Sequence, residues 1–168
     1  MSDLLLGANS GRQLRKAVRS ALNKVVRQAR TASGKTVRKV YGIRARDLKA
    51  YVRLRPATNR NLEAELILSG QTIPLHLFKP KEASDGTITV EVKLKERRTV
   101  KGGFRLKKLG DAAFIRRRKG VERFPLEWLR SVSAAKMYEA EGEEAFTDYI
   151  NENLGRIINN ELNFFLNR

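Results

Sequence analysis

Apolar residues recur every three or four positions along the first quarter of the chain. From Leu14 to Val40 this spacing places them on one face, which predicts an amphipathic helix. Asn9 or Ser10 is expected to cap its start, and Gly42 to end it. Gly34 is the point at which the helix could bend or split, since glycine costs about 1 kcal/mol relative to alanine in a helix. The apolar or small positions are Leu14, Ala17, Val18, Ala21, Leu22, Val25, Ala29, Ala32, Thr36, Val37 and Val40.

The pattern changes to a period of two after Pro56. Residues 61–68 (NLEAELIL) alternate, and residues 87–95 (TITVEVKLK) alternate most strictly. Such alternation predicts an antiparallel sheet with one solvent-exposed face. A further extended run, TIPLHLF at 72–78, contains Pro74, which favours an edge strand or a bulge. The other expected elements are a short helix at 45–52 and short strands at 103–106 and 113–118.

The helical spacing returns near the C-terminus. A short helix is expected from Ser131 to Tyr138, and Gly142 then interrupts the pattern. From Glu143 the apolar positions trace a long amphipathic helix, with acidic residues in its first turn where the helix dipole favours them. The sequence therefore predicts an α+β fold, in which an antiparallel sheet of about four to five strands is flanked by a long N-terminal helix and a C-terminal amphipathic helix.

We expect a single domain over residues 1–168, since no repeat, low-complexity tract or linker divides the chain. Residues 1–10 are expected to be flexible and 11–55 to form a basic helical region. Residues 56–128 are assigned to the antiparallel sheet region and 129–168 to the C-terminal helical region.

Charge is distributed unevenly along the chain. The net charge is +17, yet residues 1–46 hold 12 basic residues and one acidic residue, whereas 138–168 hold seven acidic and two basic residues. This polarity suits a polyanionic partner at one surface, and it equally suits head-to-tail contacts between copies of the protein.

The candidate binding surface consists of basic residues. Between Leu4 and Arg46 there is no acidic residue, so this helix forgoes every i,i+4 ion pair that a merely soluble helix would use. That absence indicates neutralisation by an anionic surface. The alternative, that the charges only solvate the surface opposite the core, stays open for each cluster. The candidate residues are Arg12, Arg15, Arg19, Arg27, Arg30, Arg38, Lys39, Arg97, Arg98, Arg116, Arg117, Arg118 and Lys119.

The residues that support catalysis in other proteins are missing or isolated. The chain has no cysteine and one histidine, His76, which we interpret as structural or surface rather than metal-binding. No GxSxG, P-loop or GxGxxG motif occurs. We therefore expect no enzyme activity, no cofactor and no metal.

The motifs of targeting and of sequence-specific nucleic-acid recognition are also missing. The opening MSDLLLGANS lacks a basic n-region, and no apolar run approaches the ~20 residues that span a bilayer. We therefore expect a soluble, intracellular protein that contacts no membrane. Zinc-finger spacing, a helix-turn-helix pair and RNP-like aromatic strands are absent too, so contact with DNA or RNA is expected through phosphates.

Four segments follow one another in an order that is typical of a known family. The segments are VRKVYGIRARDLKAYVRLRPAT, NLEAELILSGQTIPLHLF, GGFRLKKLGDAAFIRRRKG and RFPLEWLRSVSAAKMYE. In this arrangement the chain resembles the minor tail protein Z family of phages and prophages, part of the wider group of tail-completion and neck proteins. The similarity covers about Arg12 to Tyr138, and its most specific parts are Tyr41–Asp47, Ser69–Leu75 and Phe114–Leu126. One departure is at Leu129–Ser133, where family members tend to carry Gly-Pro-Ser.

The resemblance implies a structural component of the virion tail, assembled in the bacterial host cytoplasm. It implies action late in tail assembly, at the head-proximal end, in tail completion and head–tail joining. The implied partners are tail tube or tail terminator proteins and head connector proteins, with a homo-oligomeric ring, for which a hexamer is one option. DNA in the tail lumen is a further implied contact. The alternative is a stand-alone nucleic-acid-binding protein without sequence specificity.

Overall fold

Helices form both ends of the chain, and short strands lie between them. A computed structural model describes residues 2–84, 87–100, 103–106, 112–116 and 126–166. In these ranges the helices are α1 (Ser2–Val40), α2 (Ala45–Lys49), α3 (Ala134–Glu141) and α4 (Glu143–Leu166). The predicted α+β class, with a long helix at each end, is confirmed.

Helix α1 is continuous through Gly34 and begins at Ser2, earlier than the predicted cap at Asn9 or Ser10. Its fully buried positions recur at every fourth residue. Four residues exceed one turn of 3.6 residues, so this stripe advances by about 40° per step and winds around the helix by about 200°. The first half of α1 is therefore buried on one side and the second half on nearly the opposite side. The stripe consists of Ala17, Ala21, Val25, Ala29, Ser33 and Val37.

The middle of α1 packs antiparallel against α4. Ile157 of α4 lies in a small core with Ala21 and Val25. The Tyr149 hydroxyl donates a 3.1 Å hydrogen bond to the Gln28 side chain. Later residues of α4 therefore lie beside earlier residues of α1.

The strands form four small antiparallel sheets in the described residues, rather than the single sheet that was expected. β1 pairs with β2 and β3 pairs with β10, while β4–β5–β6 and β7–β8–β9 form three-stranded sheets. The strands are β1 (Val52–Arg55), β2 (Glu65–Leu68), β3 (Thr72–Pro74), β4 (Lys81–Glu82), β5 (Ile88–Val90), β6 (Arg98–Val100), β7 (Gly103–Leu106), β8 (Ala112–Arg116), β9 (Leu126–Trp128) and β10 (Arg130–Ser133).

The larger core lies where the second half of α1 meets α3 and the strands. Val37, Ile73, Phe78, Ile88 and Met137 are each at most 1% exposed there. Full burial of such a side chain stabilises the fold by about 1.5–3 kcal/mol. This core therefore fixes the second half of α1 against the strands, while the smaller core holds its first half against α4.

Two predicted strands are wrong over part of their length. After β3, residues 75–78 form a 3-10 helix, which brings Leu75 and Phe78 to the same buried side because side chains three apart coincide in this helix. The strand predicted at 87–95 ends at Val90. There the Glu91 carboxylate accepts a 2.6 Å hydrogen bond from the Lys95 amide, and Lys95 has a positive φ of 72°.

The predicted helix at 45–52 is also shorter than expected, since α2 ends at Lys49 and Val52 begins β1. The chain cannot stay helical because Val52 pairs with Leu68 in the first sheet and its side chain is buried there. Gly142 separates α3 from α4, as predicted. A Cβ at Gly142 would lie 2.6 Å from the Tyr138 ring and 2.9 Å from Val37, so only glycine fits between the helices.

Candidate functional site

The cations of α1 lie on the surface that its core stripe leaves free. Five of the ten cations sit two positions from a stripe residue, which is 160° to 200° around the helix at about 100° per residue; they are Arg15, Arg19, Arg27, Lys35 and Lys39. Among the described residues, Lys24 is the one α1 cation that forms an ion pair. The exposed cations are Arg12, Arg15, Lys16, Lys24, Arg27, Lys35 and Lys39, and the half-buried ones are Arg19, Arg30 and Arg38.

A groove of about 740 Å³ runs beside the first half of α1, and we call it the α1 groove. Its floor is α1 itself, one wall is the loop after β1, and the end of α4 closes it. Two candidate residues predicted from the sequence, Arg19 and Arg27, line it together. The lining residues are Arg19, Ser20, Asn23, Lys24, Arg27, Ala57, Thr58, Asn59 and Glu161.

Asn23 holds the loop wall of the α1 groove against the helix. Its side-chain oxygen accepts a 2.7 Å hydrogen bond from the Ala57 amide, and its side-chain nitrogen donates a 3.0 Å bond to the Ala57 carbonyl. Arg15 adds a 3.3 Å bond to the Asn59 carbonyl. A buried alanine, Ala57, and a helix asparagine thus position a polar loop beside the cations.

One carboxylate enters the α1 groove. Lys24 Nζ lies 3.1 Å from Glu161 Oε1. The pKa of Glu161 is lowered, first by a hydrogen bond from Ser20 and then by Lys24, although partial burial opposes this. Glu161 therefore stays ionised and neutralises Lys24, whereas Arg19 and Arg27 form no ion pair in the described structure.

Arg30 and Arg38 line a second, smaller depression of about 150 Å³, together with Lys49 and Tyr138. Arg38 Nε donates a 3.1 Å bond to the Gly34 carbonyl, which orients this side chain along its own helix. Burial raises the pKa of Tyr138, so its phenol stays protonated at neutral pH. These two arginines are therefore separate from the α1 groove.

The cations of the strands are partly neutralised nearby. Arg97 lies 3.4 Å from Glu91, and Arg98 lies 3.4 Å from Glu96. The pKa of Glu91 is lowered, chiefly by the hydrogen bond from the Lys95 amide and further by Arg97. Arg98 also lines a cavity of about 420 Å³ with apolar walls. Among the other candidates, Arg116 ends β8, and its side chain and Arg117, Arg118 and Lys119 lie outside the described residues.

Acidic residues form a separate exposed surface on α4. Glu144, Asp148 and Glu152 are four positions apart and exposed, and we call them the acidic row. In the described part of the chain these three carboxylates form no ion pair. Phe146, Tyr149, Ile150, Leu154 and Ile157, by contrast, pack on the opposite side of α4, against α1.

The sequence did not single out several residues of the α1 groove. Lys24 lies in the helix without acidic residues, and that pattern could have identified it as a candidate. Its pairing with Glu161 could not be predicted, because the two residues are 137 positions apart in the sequence. No sequence pattern indicated that Asn23 and Asn59 line a groove, because their roles depend on where the loop after β1 lies. Lys35, which is exposed and forms no ion pair with any described residue, was also missed.

Within the described residues there is no group of His, Cys, Asp or Glu side chains that could hold a metal ion. His76 lies in the 3-10 helix and is half-buried. A search of the described helices found none both long and apolar enough to cross a membrane.

The fold and its charged helices define a small basic α+β protein. The family model for prophage minor tail protein Z matches residues 10–168, nearly the whole chain, and the chain belongs to that family. It is therefore a structural component of the phage tail. Searches of curated proteins and of solved structures found no match.

Proposed function

We propose that this minor tail protein acts at the head-proximal end of the tail, where it completes the tail and joins it to the head. The observation that carries this proposal is the row of unneutralised cations on α1 in a chain of a tail family. A tail component at that end meets both neighbouring proteins and the leading end of the genome. A cationic helix suits either contact.

The proposed partners are tail tube or tail terminator proteins, head connector proteins and further copies of the chain in a ring. DNA phosphates in the lumen are a further partner. Arg19 and Arg27 in the α1 groove support this contact, because an arginine fork binds a phosphate through two hydrogen bonds. The family role is structural, and we propose no catalytic step.

Reconstitution tests the proposal. The purified protein is added to tails assembled without it, and joining to heads is scored by electron microscopy and by infectivity. We expect the wild type to restore joining. Failure of a folded protein to do so would contradict the proposed role.

Charge reversal identifies what the cationic surface contacts. The variant reverses Arg15, Arg19, Arg27 and Arg30 to Glu. The matched control also reverses four cations, which are exposed and form no ion pair in the described structure: Arg44, Lys49, Arg53 and Lys81. Incorporation into tails without DNA transfer would indicate a role in the lumen. Loss of incorporation would indicate a protein interface.

The second candidate is a stand-alone nucleic-acid-binding protein, favoured by the cations of the α1 groove. It predicts duplex binding whose log K falls with log salt by about 0.9 per phosphate neutralised, or about 3 if Arg15, Arg19 and Arg27 each contact one phosphate. Binding measured by fluorescence anisotropy should lose this slope in the reversed variant. No binding at low salt would exclude this candidate.

A further inference from the structure

The acidic row is unfavourable within a single copy of the chain. Glu144, Asp148 and Glu152 stand at i, i+4 and i+8, so consecutive carboxylates are neighbours on the helix surface and repel one another. No cation of the described structure pairs with them. An external cationic surface would remove this repulsion.

Helix α1 carries a matching row of opposite charge. Arg27, Lys35 and Lys39 are exposed, and with exposed Thr31 they occupy every fourth position. We call these three cations the cationic row. Like the acidic row, it consists of charges without an ion pair in the described structure. Both rows follow the i±4n ridge of a helix, with a rise of about 6 Å per step.

Two i±4n ridges can pack against each other, which is the commonest way that helices cross in globular proteins. The cationic row lies opposite Ala29, Ser33 and Val37 of the core stripe, and so faces away from the interior. The acidic row faces away from the contact between α1 and α4. One copy therefore cannot bring its own rows together, whereas two copies can.

We propose that the acidic row of one copy docks on the cationic row of a second copy. This inference rests on the homo-oligomer of the proposed function and identifies the surfaces that form it. Because different surfaces meet, the contact is heterologous, and repeating it produces a ring if the rotation closes. The net charge of +17 already includes the three acids of the row, so docking leaves it unchanged and the assembled oligomer stays strongly cationic.

A charge-swap experiment in solution tests the interface. One variant carries Lys35→Glu and Lys39→Glu, the second carries Glu144→Lys and Asp148→Lys, and a control carries Lys49→Glu and Arg53→Glu. The wild type and the control should self-associate at low salt in sedimentation velocity runs and dissociate at high salt. Each swap variant alone should associate about tenfold or more weakly. An equimolar mixture of the two swap variants should associate again. The first variant then has acidic residues on both rows and the second has cations on both rows, so each row of one variant meets a row of opposite charge on the other.

The outcomes distinguish failure of the proposed interface from failure of the proposed function. All substituted residues are exposed, and circular dichroism with urea unfolding verifies that each variant folds. A wild type that stays monomeric at low salt, or swap variants that associate as the wild type does, would overturn the interface. Weak association of the two swap variants that mixing does not rescue would overturn it as well. If the wild type nevertheless restores head joining in the reconstitution assay, the proposed function stands and only the interface is wrong.

Discussion

Lys24 and Glu161 join the two long helices, with 3.1 Å between Nζ and Oε1. Glu161 also accepts a hydrogen bond from Ser20, so one carboxylate contacts two side chains of α1. Its side chain is 13% exposed and that of Lys24 is 51% exposed. Lys24 thus supports the fold through an ion pair, whereas the other α1 cations form none in the described structure.

We expect Glu161→Gln to destabilise the fold by about 0.5–1 kcal/mol at pH 7, since the ion pair is partly exposed. The folded-state pKa of Glu161 is lowered, so its contribution is complete above the unfolded value of about 4.3 and is lost as pH falls through the lower folded value. Urea unfolding at pH 7 and near pH 3 measures this, with Glu82→Gln, at an exposed position of β4, as control. A stability difference that persists unchanged at low pH would contradict the linkage.

Two glycines of the C-terminal region should respond oppositely to alanine. Gly142→Ala places a methyl group 2.6 Å from the Tyr138 ring, so we expect a loss of about 1–3 kcal/mol from overpacking. Gly155 lies exposed in α4 with nothing within 4 Å of a Cβ, so Gly155→Ala should stabilise by about 0.5–1 kcal/mol. Thermal unfolding compares the pair. Equal effects of the two changes would show that the packing at Gly142 is not as described.

The loop wall of the α1 groove depends on Asn23. Replacement by alanine removes both hydrogen bonds to Ala57 and leaves two backbone groups without their partner, at a cost of about 1–3 kcal/mol. Amide hydrogen exchange at Ala57 should also accelerate. Asn151→Ala, at an exposed position of α4, is the control, for which we expect little change. Unaltered exchange at Ala57 would show that Asn23 does not hold the loop.

Phe78 is the largest fully buried side chain of the main core. Phe78→Ala should destabilise the fold by roughly 3–5 kcal/mol, which is a large share of the ~5–15 kcal/mol that holds a typical domain together. Leu94→Ala, at a side chain that is 42% exposed, should cost far less. Urea unfolding of both variants measures the difference. Similar losses would place Phe78 outside the core.

The helices could be predicted from the sequence because their signals are local. The spacing of apolar residues gave α1 and α4, and Gly142 marked the break before α4. The predicted start of α1 was wrong, since residues before Asn9 continue the helix. Glycine at position 34 leaves room for Tyr138, whose hydroxyl lies 3.3 Å from the position that a Cβ would take there. That contact joins distant parts of the chain and leaves no local pattern.

The strands and the α1 groove were harder to predict, because they also depend on contacts between distant parts of the chain. Alternation at 87–95 indicated a strand, but the Glu91 side chain caps a turn at Lys95 and ends the strand at Val90. Of the predicted cationic surface, Arg19 and Arg27 do line one groove, whereas Arg98 lies at another cavity. Which cations share a site depends on the tertiary fold, and composition alone cannot specify it.

The four-residue step of the α1 stripe sets the angle between the two surfaces through which α1 contacts the rest of the fold. α4 packs against one side of α1 near Val25, and the strands pack against a side about 120° further around the helix near Val37. One residue inserted between Ala29 and Ser33 would rotate these attachments by about 100° relative to each other. A change in the length of the stretch from Ala17 to Val37 would therefore turn the charged surfaces at its two ends relative to each other.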